Sequence, residues 1–280
     1  MLTSFLIMFR ESLEASLIVG IILGYLARTK QQKYNNIVYL GIISGIVSSV
    51  IFAYLFSMIA GGFEGVAEQV FEGATMVIGA ALLTFMIFWM MKQKNVSASY
   101  HKRMQRSIEA GASFGLFTVG FISILREGVE TVIFLNAARF AAGSTSILGA
   151  FLGIIAAIVL GYVVFTGMAK VSVKRFFNVS SIVLVLFAAG LVSHGIHEFQ
   201  EAGVIPVLHG QAWDINPLLN PDGSFPWLHE EGIIGSILKG LFGYNGNPSI
   251  LEVMSYGVYL GGIFIIYNKM NRISSVPDKS

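Results

Sequence analysis

The sequence predicts an all-α integral membrane protein of seven transmembrane helices, built as two inverted three-helix repeats plus one extra C-terminal helix. Three observations predict it: apolar segments of bilayer-spanning length, a one-sided distribution of basic residues, and a charged motif that occurs twice. Of the 280 residues, 55% are hydrophobic and only 12% are charged, about half the charged share usual in a soluble domain. Mean hydropathy is +0.72. So little charge cannot cover a water-facing surface of this size, which argues against a disordered chain or a nucleic-acid binder. The chain has no Cys, which removes a disulfide scaffold, thiolate metal sites, Fe–S clusters and cysteine nucleophiles.

Apolar stretches near the roughly 20 residues needed to cross a bilayer fall at 2–27, 37–60, 71–91, 110–138, 147–168, 176–201 and 250–268. The first does not read as a cleaved signal peptide: no basic residue precedes it, and charges interrupt its apolar run. If every segment crosses, Arg28, Lys30 and Lys33, the five basic residues of 92–106, then Lys170, Lys174, Arg175, Lys269, Arg272 and Lys279 share one side. The opposite side keeps Arg139 and Lys239, and Arg10 and Arg126 lie inside spans. The positive-inside rule then puts the N-terminus outside and the C-terminus in the cytoplasm of a multi-pass plasma-membrane protein. The stretch 92–106 reads as a topogenic cytoplasmic loop rather than a nucleic-acid patch.

Other features concern packing. Gly20/Gly24, Gly41/Gly45, Gly111/Gly115, Gly149/Gly153 and Gly257/Gly261 form small-xxx-small steps, which let helix backbones approach closely in lipid. All six prolines follow residue 205, so no span needs a proline kink. The segment 202–249, with Trp213, Trp227, His209 and His229, is long for a simple connector and reads as an extracytoplasmic cap with short interfacial helices. Trp89, Trp213 and Trp227 read as interfacial anchors. The expected organisation is a single transmembrane domain over 1–280: repeat 1 at 1–91, repeat 2 at 110–201, the cap at 202–249 and a final helix at 250–268.

Two spans carry charges near their middle: Arg10-Glu11-Ser12-Leu13-Glu14 and Arg126-Glu127-Gly128-Val129-Glu130. A charge at the bilayer centre costs about 2.5–3.5 kcal/mol even on insertion scales, so these six groups must meet one another, water or a ligand. In each motif the glutamates are i, i+3 and the arginine and second glutamate i, i+4, hence neighbours on a helix. Bringing the two helices face to face converges four carboxylates and two guanidiniums with a net formal charge of −2. Carboxylate oxygens suit hard cations. Without a metal such crowded carboxylates cannot all stay ionised, so metal binding would release protons. Structural ion pairs alone explain the pattern poorly, since the negative charge is in surplus.

The motifs recur 116 residues apart, each in the first span of a three-span group. Three is odd, so the copies run in opposite directions across the membrane, the hallmark of secondary transporters with a midplane site. A second set of groups lies at the expected outer side. Glu64, Glu68 and Glu72 are spaced by four as span 3 begins, and His194, His197, Glu198 and Glu201 crowd the end of span 6. Acids there would gather cations and draw them inward, an entrance for uptake. Glu64 and Glu68 read equally well as a solvated face, and His194 and His197 either as a ligand pair or as hydrogen-bonded helix-end histidines.

The RESLE and REGVE motifs resemble the paired R-E-G-L-E motifs of the oxidase-dependent iron permeases. The resemblance extends over nearly the whole chain, through FLIMFRESLEASLIVG at the start, FEG at 71–73, QEAG at 200–203 and GLFGYNGNPS before the last span. It implies a seven-span permease, not an enzyme, that moves iron inward as cargo, with no bound organic cofactor. It implies that iron arrives as Fe(III) from an extracytoplasmic iron-oxidising or iron-delivering protein. Carried over by motif, Glu11, Glu14, Glu127 and Glu130 would be the translocation ligands, with Arg10 and Arg126 beside them. The sequence departs at Ser12 and Val129, where the family usually has Gly and Leu; neither change removes a ligand.

Two other readings use the same residues. A membrane-embedded carboxylate di-iron enzyme combines glutamates with Glu-x-x-His helices, and His194/His197 beside Glu198 and Glu201 give it some footing, although they lie far in depth from Glu14 and Glu130. A transporter of protons or of another hard divalent cation differs only in cargo. The residues themselves give "hard cation, inward"; iron comes from the resemblance.

Overall fold

The computed structural model describes residues 1–92, 113–143, 145–165, 173–207, 210–220 and 222–274. Lys94, Lys102, Arg103, Arg106, Gly111, Lys170, His209 and Lys279 lie outside the described residues. The described chain is helical, in the order α1 (Leu2–Arg28), a 3-10 turn (Gln32–Tyr34), α2 (Asn35–Ala60), α3 (Val66–Lys92), α4 (Ser113–Ala142), α5 (Ile147–Phe165), α6 (Val173–Glu201), α7 (Ile233–Phe242) and α8 (Ile250–Ser274). No strand occurs among the described residues, only an isolated antiparallel bridge between Gln211 and Ser249.

Each apolar segment read from the sequence is helical over most of its length, and α3 and α8 run about a turn longer than their apolar cores. Among the described residues five helices are long and apolar enough to cross a membrane: α2, α3, α5, α6 and α8. The two remaining long helices, α1 with 27 residues and α4 with 30, are the ones that carry the charged motifs, and those charges break their apolar runs.

The chain forms two compact units. In the first, α5 packs along α1 and α2 lies against α4. Both seams are made at glycines. A Cβ on Gly41 would strike the backbone oxygen of Phe117, and one on Gly149 would strike that of Met1. Four residues on, a Cβ on Gly45 would stand 3.0 Å from Phe121 O, and one on Gly153 2.6 Å from Phe5 O. Three residues before each pair of glycines, Val38 O approaches Gly120 and the Ser146 amide donates to Ser4 Oγ over 3.1 Å. The two seams share one register: Met1 and Phe117 each stand nine residues before their motif arginine, Ser4 and Gly120 six, Phe5 and Phe121 five. Ile18, Ile22 and Leu26 of α1, Val38 of α2 and Leu116 of α4 form a buried apolar cluster in this unit.

The second unit contains α3, α6, α7 and α8. Here α3 and α6 cross at Gly73 and Gly195. A Cβ on Gly73 would sit 3.0 Å from Gly195 O and 3.2 Å from Glu198 Cβ; one on Gly195 would sit 3.1 Å from Gly73 O and 3.6 Å from Met76 Cβ. The contact is reciprocal, each glycine touching the other's carbonyl and the residue three further on. α7 ends at Gly243 in the left-handed region (φ +69°), its N–H donating to Lys239 O over 3.0 Å, the αL helix stop that glycine favours. α8 begins with a capping box: the Glu252 amide donates to Ser249 Oγ (3.2 Å) and the Ser249 amide to Glu252 Oε1 (2.9 Å). Gly257 and Gly261 have no described atom within 4 Å of a Cβ placed on them, so this step packs against nothing described.

Candidate metal centre

The six motif groups meet in four ion pairs, each along its own helix. Arg10 reaches Glu11 Oε1 through Nη1 and Glu14 Oε1 through Nη2, both at 3.1 Å. Arg126 repeats this on α4, with Nη2 3.3 Å from Glu127 Oε1 and Nε 3.1 Å from Glu130 Oε1. The repeat follows from spacing, because an i, i+4 partner lies over the next turn of the same face. In each motif the arginine thus holds one oxygen of both glutamates.

The two motifs also converge on each other. One carboxylate oxygen from each of Glu11, Glu127 and Glu130 lies within 4.8 Å of the others, the one such group of acids and histidines among the described residues. Glu11 and Glu127 are buried and Glu130 nearly so. An oxygen of each, Oε2, is buried and meets no hydrogen-bond donor. A buried acceptor without a partner costs about 1–3 kcal/mol, more when charged, so three side by side are a strained arrangement that a cation would relieve. Glu14 is buried as well and lies outside the group of three, though near enough for its charge to act on Glu127 and Glu130. At the centre of α4 a Cβ on Gly128 would strike the Ser49 side chain of α2. Ser49 donates to Gly45 O over 2.8 Å, so the hydroxyl that crowds Gly128 is tied back to its own helix.

The second expected set is spread more widely. Glu64 is exposed in the turn before α3, and Glu68 is exposed on its first turn. Glu72 is half-buried, with Glu68 and Arg139 close enough for their charges to act on it. Glu198 is half-buried and feels Glu72, Glu201, His197 and Glu68, so these five do gather. Gln69 Nε2 donates to Glu201 Oε2 over 3.1 Å, tying α3 to α6. His197 bridges two carboxylates, Nε2 3.1 Å from Glu201 Oε1 and Nδ1 3.1 Å from Glu252 Oε1. His194 is buried; its Nδ1 lies 3.0 Å from Gly190 O of its own helix.

Sequence reasoning missed Glu252. It is 1% exposed, yet fully engaged: besides Ser249 and His197 it accepts from Asn245 Nδ2 over 2.8 Å, and Ser193 Oγ donates to its backbone oxygen. The Ser-Ile-Leu-Glu run at 249–252 is a legible capping-box signal, whereas the histidine partner, 55 residues earlier, has no local signature. Lys239 was also read only as a charge on one side; it stands 3.8 Å from Glu230 and 3.9 Å from Glu231.

The sequence profile of the iron permease FTR1 family matches residues 1–273. A protein named ferrous iron permease EfeU from Yersinia pestis is 32% identical over 271 residues, covering 95% of this chain and 93% of that protein. Proteins of the same name from Escherichia coli O157:H7 and Shigella sonnei (strain Ss046) are each 33% identical over 284 residues, covering the whole of both chains. No solved structure matches.

Proposed function

Because the chain belongs to the iron permease FTR1 family, we propose that it carries iron inward across the plasma membrane through the Glu11–Glu127–Glu130 group. It is an integral membrane protein and a transporter rather than an enzyme, with iron as its cargo. The observation that carries the proposal is the convergence of three buried carboxylates from two helices, each with an oxygen that no donor serves. Glu14 is the fourth ligand, reached when Arg10 releases it. Arg10 and Arg126 hold the carboxylates in place between cargo ions and offset their mutual repulsion.

The reading extends to topology. All seven long helices cross, in two inverted repeats over 1–91 and 110–201 with a final helix at 250–268, the N-terminus outside and the C-terminus in the cytoplasm. The charge distribution supports the orientation. The matched registers of the α1–α5 and α2–α4 seams, and the reciprocal Gly73–Gly195 crossing, support the repeat: under it α1 corresponds to α4, α2 to α5 and α3 to α6. Inverted repeats place substrate sites near the membrane midplane. The acids Glu72, Glu198 and Glu201, with His197 and the outlying Glu64, Glu68 and His194, then form the outer entrance, and 202–249 caps that side.

The cargo is Fe(III), supplied by an extracytoplasmic iron-oxidising or iron-delivering protein, because the donor set is oxygen only and hard. A second reading, Fe(II), is favoured by the formal charge of −2 on the two motifs, which a divalent ion balances, and by the word "ferrous" in the relatives' names. Uptake into liposomes tests both parts. Glu130→Gln and Glu14→Gln should each lower iron uptake at least about tenfold; unchanged uptake in both variants overturns the site. Uptake from a ferric chelate that persists with a membrane-impermeant ferrous chelator outside supports Fe(III), and its complete loss supports Fe(II).

A further inference from the structure

The rows of side chains that carry the motif glutamates do not stop at them. On α1, Glu11 and Glu14 continue as Ile18 and Ile22 at steps of three and four residues, which keeps all four on one face. On α4, read backwards, Glu130 and Glu127 continue through Ser123 and Val119 to Leu116 at the same steps. Both rows end in the apolar cluster of Ile18, Ile22, Leu26, Val38 and Leu116, whose members are 0–8% exposed. Ser123, on the way, is buried and donates to Val119 O of its own helix over 2.7 Å. Ile18 stands one turn, about 6 Å, beyond Glu14, and the cluster extends about 12 Å along α1. On α2 the face of Val38 runs back one turn to Asn35, whose Oδ1 is buried and meets no hydrogen-bond donor. The apolar row of α2 thus starts from an oxygen that a cation would satisfy.

Core packing asks only that apolar faces meet. It does not ask that they extend the carboxylate rows of two helices on the same side of the site. Under the proposed topology α1 runs inward and α4 outward, so Ile18, Ile22, Leu26 and Leu116 all lie on the cytoplasmic side of the motif glutamates, with Val38 near the inner end of α2. A cation that leaves the carboxylates along these rows meets buried aliphatic side chains. Stripping an ion of its oxygen ligands there is prohibitive, and apolar constrictions of this kind block ions by dewetting. We infer that the Ile18–Ile22–Leu26–Val38–Leu116 cluster is the inner gate of the permease, shut in this structure, whose side chains part to release the ion to the cytoplasm. The cluster joins α1 to α2 and α4. It therefore lies between the α1–α5 and α2–α4 pairs, each of which is held by glycines against main chain. Parting it separates the two pairs and leaves each intact. The inference rests on the reading of the Glu11–Glu127–Glu130 group as the transport site and adds the barrier that follows it.

The test uses the full chain in liposomes. Ile22→Ser with Leu116→Ser should wet the gate and speed the decay of an imposed pH gradient, with no iron present, about tenfold or more over the unsubstituted chain. Ile22→Leu should not. Nor should Leu83→Ser, which sets the same hydroxyl at a fully buried position of α3 and so reports what lost packing does by itself. The chain has no Cys, so Ile22→Cys and Thr29→Cys each supply a single thiol, the second at an exposed position just past α1. At rest a charged thiosulfonate should label Ile22→Cys about tenfold or more slowly than Thr29→Cys. During iron uptake by the Ile22→Cys protein its labelling should speed up about fivefold or more, as the gate opens in each cycle. Should the double-serine variant fail to fold, the thiol readout decides. A leak no greater than that of Leu83→Ser, resting labelling of Ile22→Cys as fast as that of Thr29→Cys, or labelling that stays flat during uptake would each overturn the inference. The leak and the resting label need no iron, so they judge the gate separately from uptake by Glu14→Gln and Glu130→Gln, which judges the carboxylate site.

Discussion

The motifs on α1 and α4 have the same local geometry and opposite surroundings. Each arginine grips its two glutamates at 3.1–3.3 Å, yet the Arg10 side chain is 2% exposed and that of Arg126 39%. The ion pairs follow from i, i+1 and i, i+4 spacing, which five residues of sequence specify. Burial follows from which helices cover the motif, which those five residues do not specify. Identical pairs therefore contribute differently: a buried arginine offsets charges that nothing else solvates, whereas an exposed one shares that task with its surroundings.

The largest consequence falls on the arginines. Arg10→Ala should destabilise the protein by about 3–5 kcal/mol, because it leaves buried carboxylates uncompensated, while Arg126→Ala, which also uncovers the buried Glu127, should cost less than that but more than the ~1 kcal/mol of a surface pair. Unfolding in mixed detergent measures the difference, and equal losses would erase the contrast. Next come the seams, where the two halves should behave alike. Gly45→Ala and Gly153→Ala each push a methyl against backbone and should each cost about 1–3 kcal/mol; a large loss in one alone would break the matched register. Reactivity sharpens the contrast without altering the chain: an arginine-selective dicarbonyl reagent should modify Arg126 much faster than Arg10, scored peptide by peptide by mass spectrometry. The smallest effect is expected at Gly257→Ala, within about 0.5 kcal/mol, since nothing described lies near it.

That last residue shows where sequence legibility ends. Gly257/Gly261 has the same spacing as Gly41/Gly45 and Gly149/Gly153, but spacing only permits close approach, and a partner helix has to be there to use it. The motif glutamates were legible because charge in the middle of an apolar run is too costly to be incidental. That Glu11, Glu127 and Glu130 form the tight group while Glu14 stays outside it was not, because rotation about a helix axis decides it. Glu252 hid for another reason: read along the chain it is a helix cap, and only the fold brings His197 to it. Conversely Glu64, Glu68 and Glu72 share a helical period, and burial separates them, leaving Glu64 and Glu68 in the open and Glu72 beside Glu198.

The crossing of α3 and α6 bears on motion. Interlocked side chains hold two helices at one angle, since swinging them means lifting each knob from its hole. At Gly73 and Gly195 main chain meets main chain, but the Phe199 ring and the Val77 side chain stand 3.1 and 3.0 Å from where a Cβ would be, so side chains flank the crossing as well. The joint is intolerant of a single added methyl, and the hydrogen bond from Gln69 to Glu201 ties the same two helices nearby, so neither their separation nor their tilt changes without giving up contacts.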